Sequence, residues 1–246
     1  MILVIIILLI YLLRAMLSGI KNNKKYNLKY IKPQTRLSFY YKSIINSWVT
    51  TIICLVIIFI IDKNNLINTF TFNMSFNINI ILKVIIIIIS MIIILIYLKQ
   101  IYSLATNEEY RLFTWQSLDK NNNGILDEVA GNMLIPRSVK EKKIFPFVAF
   151  SAGFCEEFLT RFIFFYILTY LFPHINLLIL PIITGVIFGL AHSYQGSKGI
   201  IKTGVVGIIL GFIYLAYSSI IPGIIIHFLI DFMVNFIYPN KKEDVY

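Results

Sequence analysis

Seven apolar stretches, most of them long enough to cross a lipid bilayer, constrain the fold of this 246-residue chain more than any other feature. A helix needs about 20 apolar residues to cross the hydrocarbon core. The stretches lie at residues 1–20, 45–61, 78–98, 145–171, 177–194, 200–217 and 220–238. Charged residues make up only 14% of the chain, whereas soluble domains carry roughly 25%. We therefore predict an all-α fold, a polytopic transmembrane helical bundle of about seven spans.

The net charge of +10 is distributed in a way that favours a membrane topology over nucleic-acid binding. Basic residues cluster at 21–36, 137–143 and 241–242, in segments that border the spans. Cytoplasmic segments next to spans are enriched in Lys and Arg. We therefore expect a multi-pass protein of the cell membrane, surrounded by lipid, with its amino terminus outside and its carboxyl terminus in the cytoplasm. Residues 1–20 lack a basic n-region and a small-residue cleavage site, so we expect a retained span rather than a signal peptide.

The chain divides in character at about residue 132. Residues 1–132 contain three predicted spans and a cytoplasmic loop without a chemical motif, and we expect them to pack and anchor the protein. Residues 133–238 place polar side chains inside spans, and residues 239–246 are predicted to form a cytoplasmic tail. Two glycine pairs in the second region have a helical spacing of four residues, Gly185 with Gly189 and Gly207 with Gly211. Such pairs let membrane helices approach closely.

The loop between the third and fourth spans contains DKNNNGILDEVA at 119–130, which resembles an EF-hand calcium loop. Asp119, Asn121 and Asn123 occupy its first, third and fifth ligand positions. The twelfth position should be a bidentate Glu, and here it is Ala130. We therefore favour an Asn- and Gly-rich turn between two short helices over a calcium site.

The stretch 145–171 carries charged side chains in apolar surroundings, where each charge costs roughly 2.5–3.5 kcal/mol on insertion scales. Glu157 and Arg161 are four residues apart, which places them on one helical face and predicts a structural ion pair. Glu156 lies about 100° away around the helix. Its face carries small residues: Ala149, Ala152, Gly153 and Thr160. Such a face allows close packing or leaves room for water, so Glu156 is the candidate catalytic carboxylate.

Two of the chain's three histidines lie in later spans, near further polar residues. His227 precedes Asp231 by four residues, and an aspartate on that face can accept a proton from the imidazole and fix its tautomer. Together with Glu156 and His192 they predict a water-activating site. A divalent metal such as zinc, held by the histidines and a carboxylate, fits this set. A metal-free mechanism with Glu156 as the base fits it equally, and spacing does not choose between them.

The three polar motifs resemble those of a known family in their order and spacing. EEFLTR at 156–161 matches E-E-x-x-x-R, FGLAH at 188–192 matches F-x-x-x-H, and HFLID at 227–231 matches H-x-x-x-[N/D]. The set is similar to that of the CAAX prenyl protease and bacteriocin-processing (CPBP, or Abi) family of intramembrane proteases, also called type II CAAX proteases. The resemblance covers about residues 133–236.

The resemblance implies a role for each candidate residue. Glu156 would activate the attacking water with support from His192, while His227 and Asp231 would stabilise the oxyanion of the scissile carbonyl. Many family members have Asn where this chain has Asp231, and an ionised Asp cannot donate a hydrogen bond to an oxyanion. Asp231 would therefore orient His227, be protonated or bind a metal.

The implied activity is that of a membrane endopeptidase acting near the cytoplasmic face on a membrane-associated protein or a small peptide. CAAX-like processing, bacteriocin maturation and self-immunity are the processes that the resemblance suggests. Two functions of other classes are the alternatives, although the second predicts an internal repeat that the sequence does not show. One is a catalytically inactive scaffold that keeps the motifs for packing, and the other is an ion transporter that uses the polar cluster as a pathway.

Overall fold

The computed structural model describes residues 33–74, 76–120 and 135–238, together with Ile6 and Ile10. Within these residues the chain forms helices and no strands, which confirms the predicted all-α class. The α-helices are α1 (Pro33–Ile61), α2 (Lys63–Phe70), α3 (Ile80–Thr106), α4 (Glu108–Lys120), α5 (Val139–Glu157), α6 (Phe164–Leu171), α7 (Leu180–Ala191), α8 (Gly196–Tyr217) and α9 (Ile221–Met233). A π-helical turn at Phe158–Ile163 joins α5 to α6, and 3-10 turns lie at Leu177–Ile179, Ser193–Gln195 and Val234–Phe236.

Three of the described helices are long and apolar enough to cross a membrane: α3, α8 and the part of α1 from Thr35 to Ile61. The segments Leu177–Ala191 and Ile221–Phe236 are shorter apolar helices. The helical bundle is therefore confirmed, and the number of seven spans stays a prediction.

Some of the predicted segments lie outside the described residues. They are the first span at 1–20, apart from two isolated positions, and the tail at 239–246. Most of the calcium-like loop, with Asn121 and Asn123, is also outside them, and Asp119 lies in the last turn of α4.

Helices α7 and α8 form a hairpin that is packed through its glycines. A Cβ atom added at Gly189 would lie 2.6 Å from the Ile200 carbonyl oxygen, and one at Gly185 would lie 2.7 Å from the Ile208 nitrogen. Only glycine allows backbones to come this close. The glycine spacing therefore predicted a real helix contact, and this contact fixes the end of α7, where His192 lies.

Helix α1 runs parallel to the rod formed by α5, the π turn and α6. Two hydrogen bonds from α1, and a third at Asp62 immediately after it, join residues 103 to 105 positions apart: Arg36 with Glu141, Trp48 with Ser151, and Tyr166 with Asp62. A nearly constant sequence offset means that two parallel helices stay in contact along their length. Besides apolar packing, the amino-terminal region therefore makes specific hydrogen bonds that align α1 with α5 and α6.

Helix α5 begins in a capping box built on Ser138 and Glu141. The Ser138 hydroxyl accepts a hydrogen bond from the Glu141 amide, and Glu141 Oε2 accepts from the Ser138 amide at 2.8 Å. Glu141 Oε1 also contacts Arg36 Nε at 3.0 Å, and both side chains are buried. A buried ion pair is tolerated when further hydrogen bonds satisfy its atoms, and the capping box supplies them. The first turn of α5 is therefore tied to α1.

Helix α9 packs closely against the small-residue face of α5. A Cβ atom at Gly153 would lie 3.1 Å from the Phe228 nitrogen and 3.2 Å from the Ile224 carbonyl oxygen. Of the two uses left open for that face, close packing is the one adopted at Gly153. It brings His227 and Asp231 of α9 next to Glu156 of α5.

Candidate active site

The four predicted catalytic side chains converge from three helices. Glu156 Oε2 of α5 lies 3.5 Å from His192 Nε2 at the end of α7 and 3.9 Å from His227 Nε2 of α9. Asp231 Oδ2, one turn after His227 on α9, lies 3.7 Å from the same Nε2 atom. The structure therefore brings together all four residues, and their catalytic role stays a prediction.

His192 is held by the helix that carries it. Its Nδ1 atom lies 2.8 Å from the carbonyl oxygen of Phe188, one turn earlier in α7. A carbonyl oxygen only accepts hydrogen bonds, so Nδ1 carries the proton and donates it. The other nitrogen, Nε2, is thereby left to face Glu156. The Phe188 ring, whose centroid is 4.4 Å from that of His192, supports this orientation.

His227 is held by Glu157 rather than by Asp231. Its Nδ1 atom lies 3.0 Å from Glu157 Oε1, whereas Asp231 is beyond hydrogen-bond distance from the other nitrogen. The helical spacing of four had suggested that Asp231 accepts the imidazole proton, and the structure gives that contact to Glu157. Because Nδ1–H donates to Glu157, Nε2 of His227 is directed toward Glu156 and Asp231.

Glu157 also makes the ion pair that its spacing from Arg161 predicts. Arg161 Nε lies 3.1 Å from Glu157 Oε2, and both side chains are fully buried. Arg161 Nη1 donates to Thr160 Oγ1 at 2.6 Å, and the guanidinium lies 5.0 Å from the centre of the Phe188 ring. Glu157 therefore neutralises Arg161 and also fixes the orientation of the His227 imidazole.

The helix changes from α to π immediately after these two glutamates. All six residues of the π turn, Phe158–Ile163, are buried. Thr160 Oγ1 donates to the Glu156 carbonyl oxygen at 2.5 Å, which fixes the backbone at the candidate base. Single π turns inside α-helices recur at functional sites. This turn is therefore consistent with a site built around Glu156.

The two adjacent glutamates have different surroundings. Glu157 is fully buried, whereas the Glu156 side chain is 21% exposed and that of Asp231 is 35% exposed. Glu156 Oε2 itself is a buried atom without a hydrogen-bond partner among the described residues. A partly exposed carboxylate, with one oxygen that lacks a donor among the described residues, is suited to binding and activating a water molecule.

The donor types at this site are those that zinc takes, imidazole nitrogen and carboxylate oxygen. Each histidine also has its Nδ1 bonded to an oxygen, as metal-binding histidines usually do. Within the described part of the chain, however, no three His, Cys, Asp or Glu side chains are arranged to hold a metal ion.

Two contributions to this site were missed in the sequence. Phe188 belongs to the F-x-x-x-H motif, and its ring contacts both histidines and the arginine. Gly223 precedes His227 by four residues, and a Cβ there would lie 3.1 Å from Glu157 Oε2. The motif contained the signal for Phe188, but the contact between Gly223 and Glu157 depends on how two separate helices pack.

One comparison with known proteins finds a match, and it covers part of the chain. Residues 141–233 match the family model described as type II CAAX prenyl endopeptidase Rce1-like. The match confirms, over this segment, the family that the motifs had suggested, and the segment contains all four candidate catalytic residues. No curated protein and no solved structure matches the chain.

Proposed function

We propose that this chain, which carries an Rce1-like domain at residues 141–233, is an intramembrane endopeptidase whose general base is Glu156. The observation that carries the proposal is the convergence of two imidazole Nε2 atoms on one reachable carboxylate. Both histidines have their other nitrogen fixed, one by a backbone carbonyl and one by Glu157. This fixes the orientation of both rings before substrate binds, which is the requirement for efficient general acid–base chemistry.

The first step is the activation of water. Glu156 takes a proton from a water molecule as its oxygen attacks the carbonyl carbon of the scissile peptide bond, forming the new C–O bond. His192 Nε2, 3.5 Å from Glu156 Oε2, can hold the same water. The carbonyl π electrons move to the oxygen, which becomes an oxyanion. The oxyanion electrons then re-form the C=O bond as the C–N bond breaks, and the protonated Glu156 gives its proton to the leaving nitrogen.

The oxyanion is stabilised by His227. When both ring nitrogens carry protons, Nδ1 donates to Glu157 and Nε2 is free to donate to the oxyanion. Asp231, 3.7 Å from Nε2, favours the positive ring by its charge. In this scheme Asp231 acts on His227 and does not itself donate to the oxyanion, which removes the difficulty raised by an acceptor-only side chain.

We further propose that the substrate is a membrane-associated protein or a small peptide cleaved near the cytoplasmic membrane face. CAAX-like processing accords with the matched family, while bacteriocin maturation and self-immunity rest on the motif resemblance alone. The basic segments next to the spans support an outside amino terminus and a cytoplasmic carboxyl terminus. The experiment that tests the activity also tests whether it depends on a divalent metal held by His192, His227 and a carboxylate.

The test is peptide release from membranes that contain the full chain, read by mass spectrometry. We expect wild-type membranes to release peptides that Glu156→Gln membranes do not, with a loss of at least about 100-fold in rate because the base is removed. Glu109→Gln, an exposed glutamate in the first turn of α4, is the matched control and should behave as wild type. Chelator-resistant cleavage would support the metal-free scheme, and chelator-sensitive cleavage reversed by zinc would establish a metal.

Identical peptides from wild-type and Glu156→Gln membranes would sink the protease proposal. An inactive scaffold predicts that result together with normal folding of both proteins. An ion transporter predicts it together with an ion flux in liposomes that Glu156→Gln reduces.

A further inference from the structure

The Thr160 hydroxyl makes two hydrogen bonds inside the candidate active site, one as a donor and one as an acceptor. It donates to the Glu156 carbonyl oxygen at 2.5 Å and accepts from Arg161 Nη1 at 2.6 Å. A hydroxyl has one proton, so its use on Glu156 leaves the oxygen lone pairs for Arg161. The Thr160 side chain is buried, where hydrogen bonds are electrostatically stronger than in water. Thr160 occupies one of the three positions that the motif E-E-x-x-x-R leaves unspecified.

The Arg161 guanidinium obtains its directional bond from Thr160 rather than from Glu157. Arg161 Nε lies 3.1 Å from Glu157 Oε2, but neither atom of this ion pair has a hydrogen-bond partner among the described residues, and neither has Arg161 Nη2. Glu157 therefore supplies the opposite charge, and the Thr160 oxygen supplies the hydrogen bond. A hydrogen bond restricts orientation because it weakens steeply away from a linear arrangement. Without the hydroxyl, the guanidinium could turn against Glu157.

The orientation of the guanidinium affects His227 through Glu157. The Glu157 carboxylate contacts Arg161 through Oε2 and accepts a hydrogen bond from His227 Nδ1 through Oε1 at 3.0 Å. A carboxylate is a rigid planar group, so a displacement of one oxygen also displaces the other. A change at Arg161 therefore changes the bond that directs His227 Nε2 toward Glu156.

The other hydrogen bond of Thr160 acts on the backbone of Glu156. Thr160 lies in the π turn, Phe158–Ile163, and Glu156 lies in the last turn of α5. The hydroxyl therefore ties the π turn to the part of α5 that carries the candidate base. One side chain thus contacts both halves of the site, the Glu156 backbone directly and His227 by way of Arg161 and Glu157.

We propose that Thr160 is a positioning residue that sets the placement of Glu156 relative to His227 through these two hydrogen bonds. It acts through its neighbours and not on the reacting atoms. The expected effect on peptide release rests on the proposed function, whereas the expected effect on the His227 ring does not. The two effects are therefore measured separately.

The experiment compares two variants of the full chain. Thr160→Val removes the hydroxyl and keeps the branched shape, and Thr160→Ser keeps the hydroxyl. Peptide release from membranes is read by mass spectrometry, and Thr160→Val should slow it by about 10- to 100-fold, because small displacements of catalytic groups lower rates strongly. Thr160→Ser should keep most of the wild-type rate.

The second measurement is nitrogen-15 NMR of labelled histidine in phosphatidylcholine nanodiscs. The chain has three histidines, and the signals of His227 are those that disappear in His227→Gln. The Nδ1 resonance of an imidazole depends on the proton it carries and on the group that accepts that proton. We expect Thr160→Val to move the His227 Nδ1 resonance and Thr160→Ser to leave it near its wild-type position.

Thr184 of α7 provides the matched control. It is buried, and its hydroxyl also donates to the carbonyl oxygen four residues earlier, that of Leu180, at 2.9 Å. Among the described residues its further contact is with another backbone carbonyl, that of Pro181, and not with a side chain. Thr184→Val therefore removes a buried hydroxyl of the same kind, and both peptide release and the His227 resonance should stay as in wild type.

Three results would overturn the inference. The first is a His227 Nδ1 resonance that Thr160→Val leaves unchanged, and the second is an equal displacement of it in Thr160→Ser or Thr184→Val. The third is a displaced resonance with undiminished peptide release, which would leave the protease proposal standing. If wild-type membranes release no peptides, the proposed function fails and the NMR result alone decides whether Thr160 positions His227. If Thr160→Val does not fold, Thr160→Ala, which leaves room for water beside Arg161, replaces it in both measurements.

Discussion

Helices α3 and α8 are both long and apolar enough to cross a bilayer, but they differ in how much of each is buried. In the most apolar 18-residue segment of each helix, 11% of the residues of α3 and 44% of those of α8 are buried. Helix α3 consists largely of Ile and Leu, and α8 contains glycines that let α7 approach its backbone. In lipid, apolar side chains gain little by packing on protein, so small and polar residues mark the interior instead.

The candidate active site shows the same contrast between buried polar residues and exposed apolar residues. Glu157 and Arg161 are fully buried, whereas Ile88 on α3 is 54% exposed. If burial within the protein, rather than hydrophobicity, determines how much a residue contributes to stability, substitutions at the buried ion pair should lower the free energy of unfolding most. The effect should be intermediate at the glycine contacts and smallest on the outer face of α3.

The largest effect is expected when Arg161 is replaced. Arg161→Met leaves the Glu157 carboxylate buried without its cation, and breaking a buried pair in this way costs about 3–5 kcal/mol. We expect a correspondingly lower free energy of unfolding, or no folded protein at all, measured by denaturation in detergent.

The double variant Glu157→Gln/Arg161→Met separates charge from geometry. It removes both charges, and the amide oxygen of Gln can still accept the Nδ1 proton of His227. We expect it to recover most of the stability that the single variant loses. Wild-type stability in Arg161→Met would contradict the view that the pair holds this part of the bundle together.

The next effect is expected at the hairpin of α7 and α8. A Cβ atom at Gly189 would lie 2.6 Å from a backbone oxygen, whereas one at Gly204 on the facing helix would meet its nearest atom at 3.5 Å. Gly189→Ala should therefore destabilise the protein by about 1–3 kcal/mol through overpacking. Gly204→Ala should change the free energy of unfolding by less than about 0.5 kcal/mol.

Peptide release should also distinguish Gly189→Ala from Gly204→Ala, because Gly189 lies three residues before His192. A shift of α7 moves His192 Nε2 away from Glu156, and small displacements of catalytic groups lower rates strongly. Gly189→Ala should lose peptide release as well as stability. Equal effects of the two alanine substitutions would show that the hairpin does not pack through Gly189.

The sequence indicated which residues meet at the candidate site, but not every contact that each of them makes there. The pairing of Glu157 with Arg161 follows from a spacing of four, and the glycine pairs follow from the same periodicity. The hydrogen bond from His227 to Glu157 joins two helices 70 residues apart, and no local pattern encodes it. Nor does any local pattern give the partner of Arg36, which lies before the matched domain and contacts Glu141 inside it.

The smallest effects are expected on α3, where two neighbouring isoleucines face different surroundings. Ile86 is buried against α8 and α9 in a cluster with Leu210, Ile213 and Ile226, and Ile88 is largely exposed. Ile86→Ala leaves a gap between helices, and we expect a loss of about 1–2 kcal/mol from the missing contacts. Ile88→Ala leaves a space that lipid chains can fill, so its effect should stay below about 0.5 kcal/mol.

The free energy of unfolding of both variants, measured in lipid bilayers, tests what covers the outer face of α3. Lipid is as apolar as the protein interior, so the cost of Ile86→Ala comes from lost packing and not from exposure to water. That cost arises because the protein neighbours of Ile86 cannot move in to fill the gap, whereas lipid chains are expected to fill the space at Ile88. A cost for Ile88→Ala equal to that for Ile86→Ala would mean that another protein, and not lipid, packs against α3.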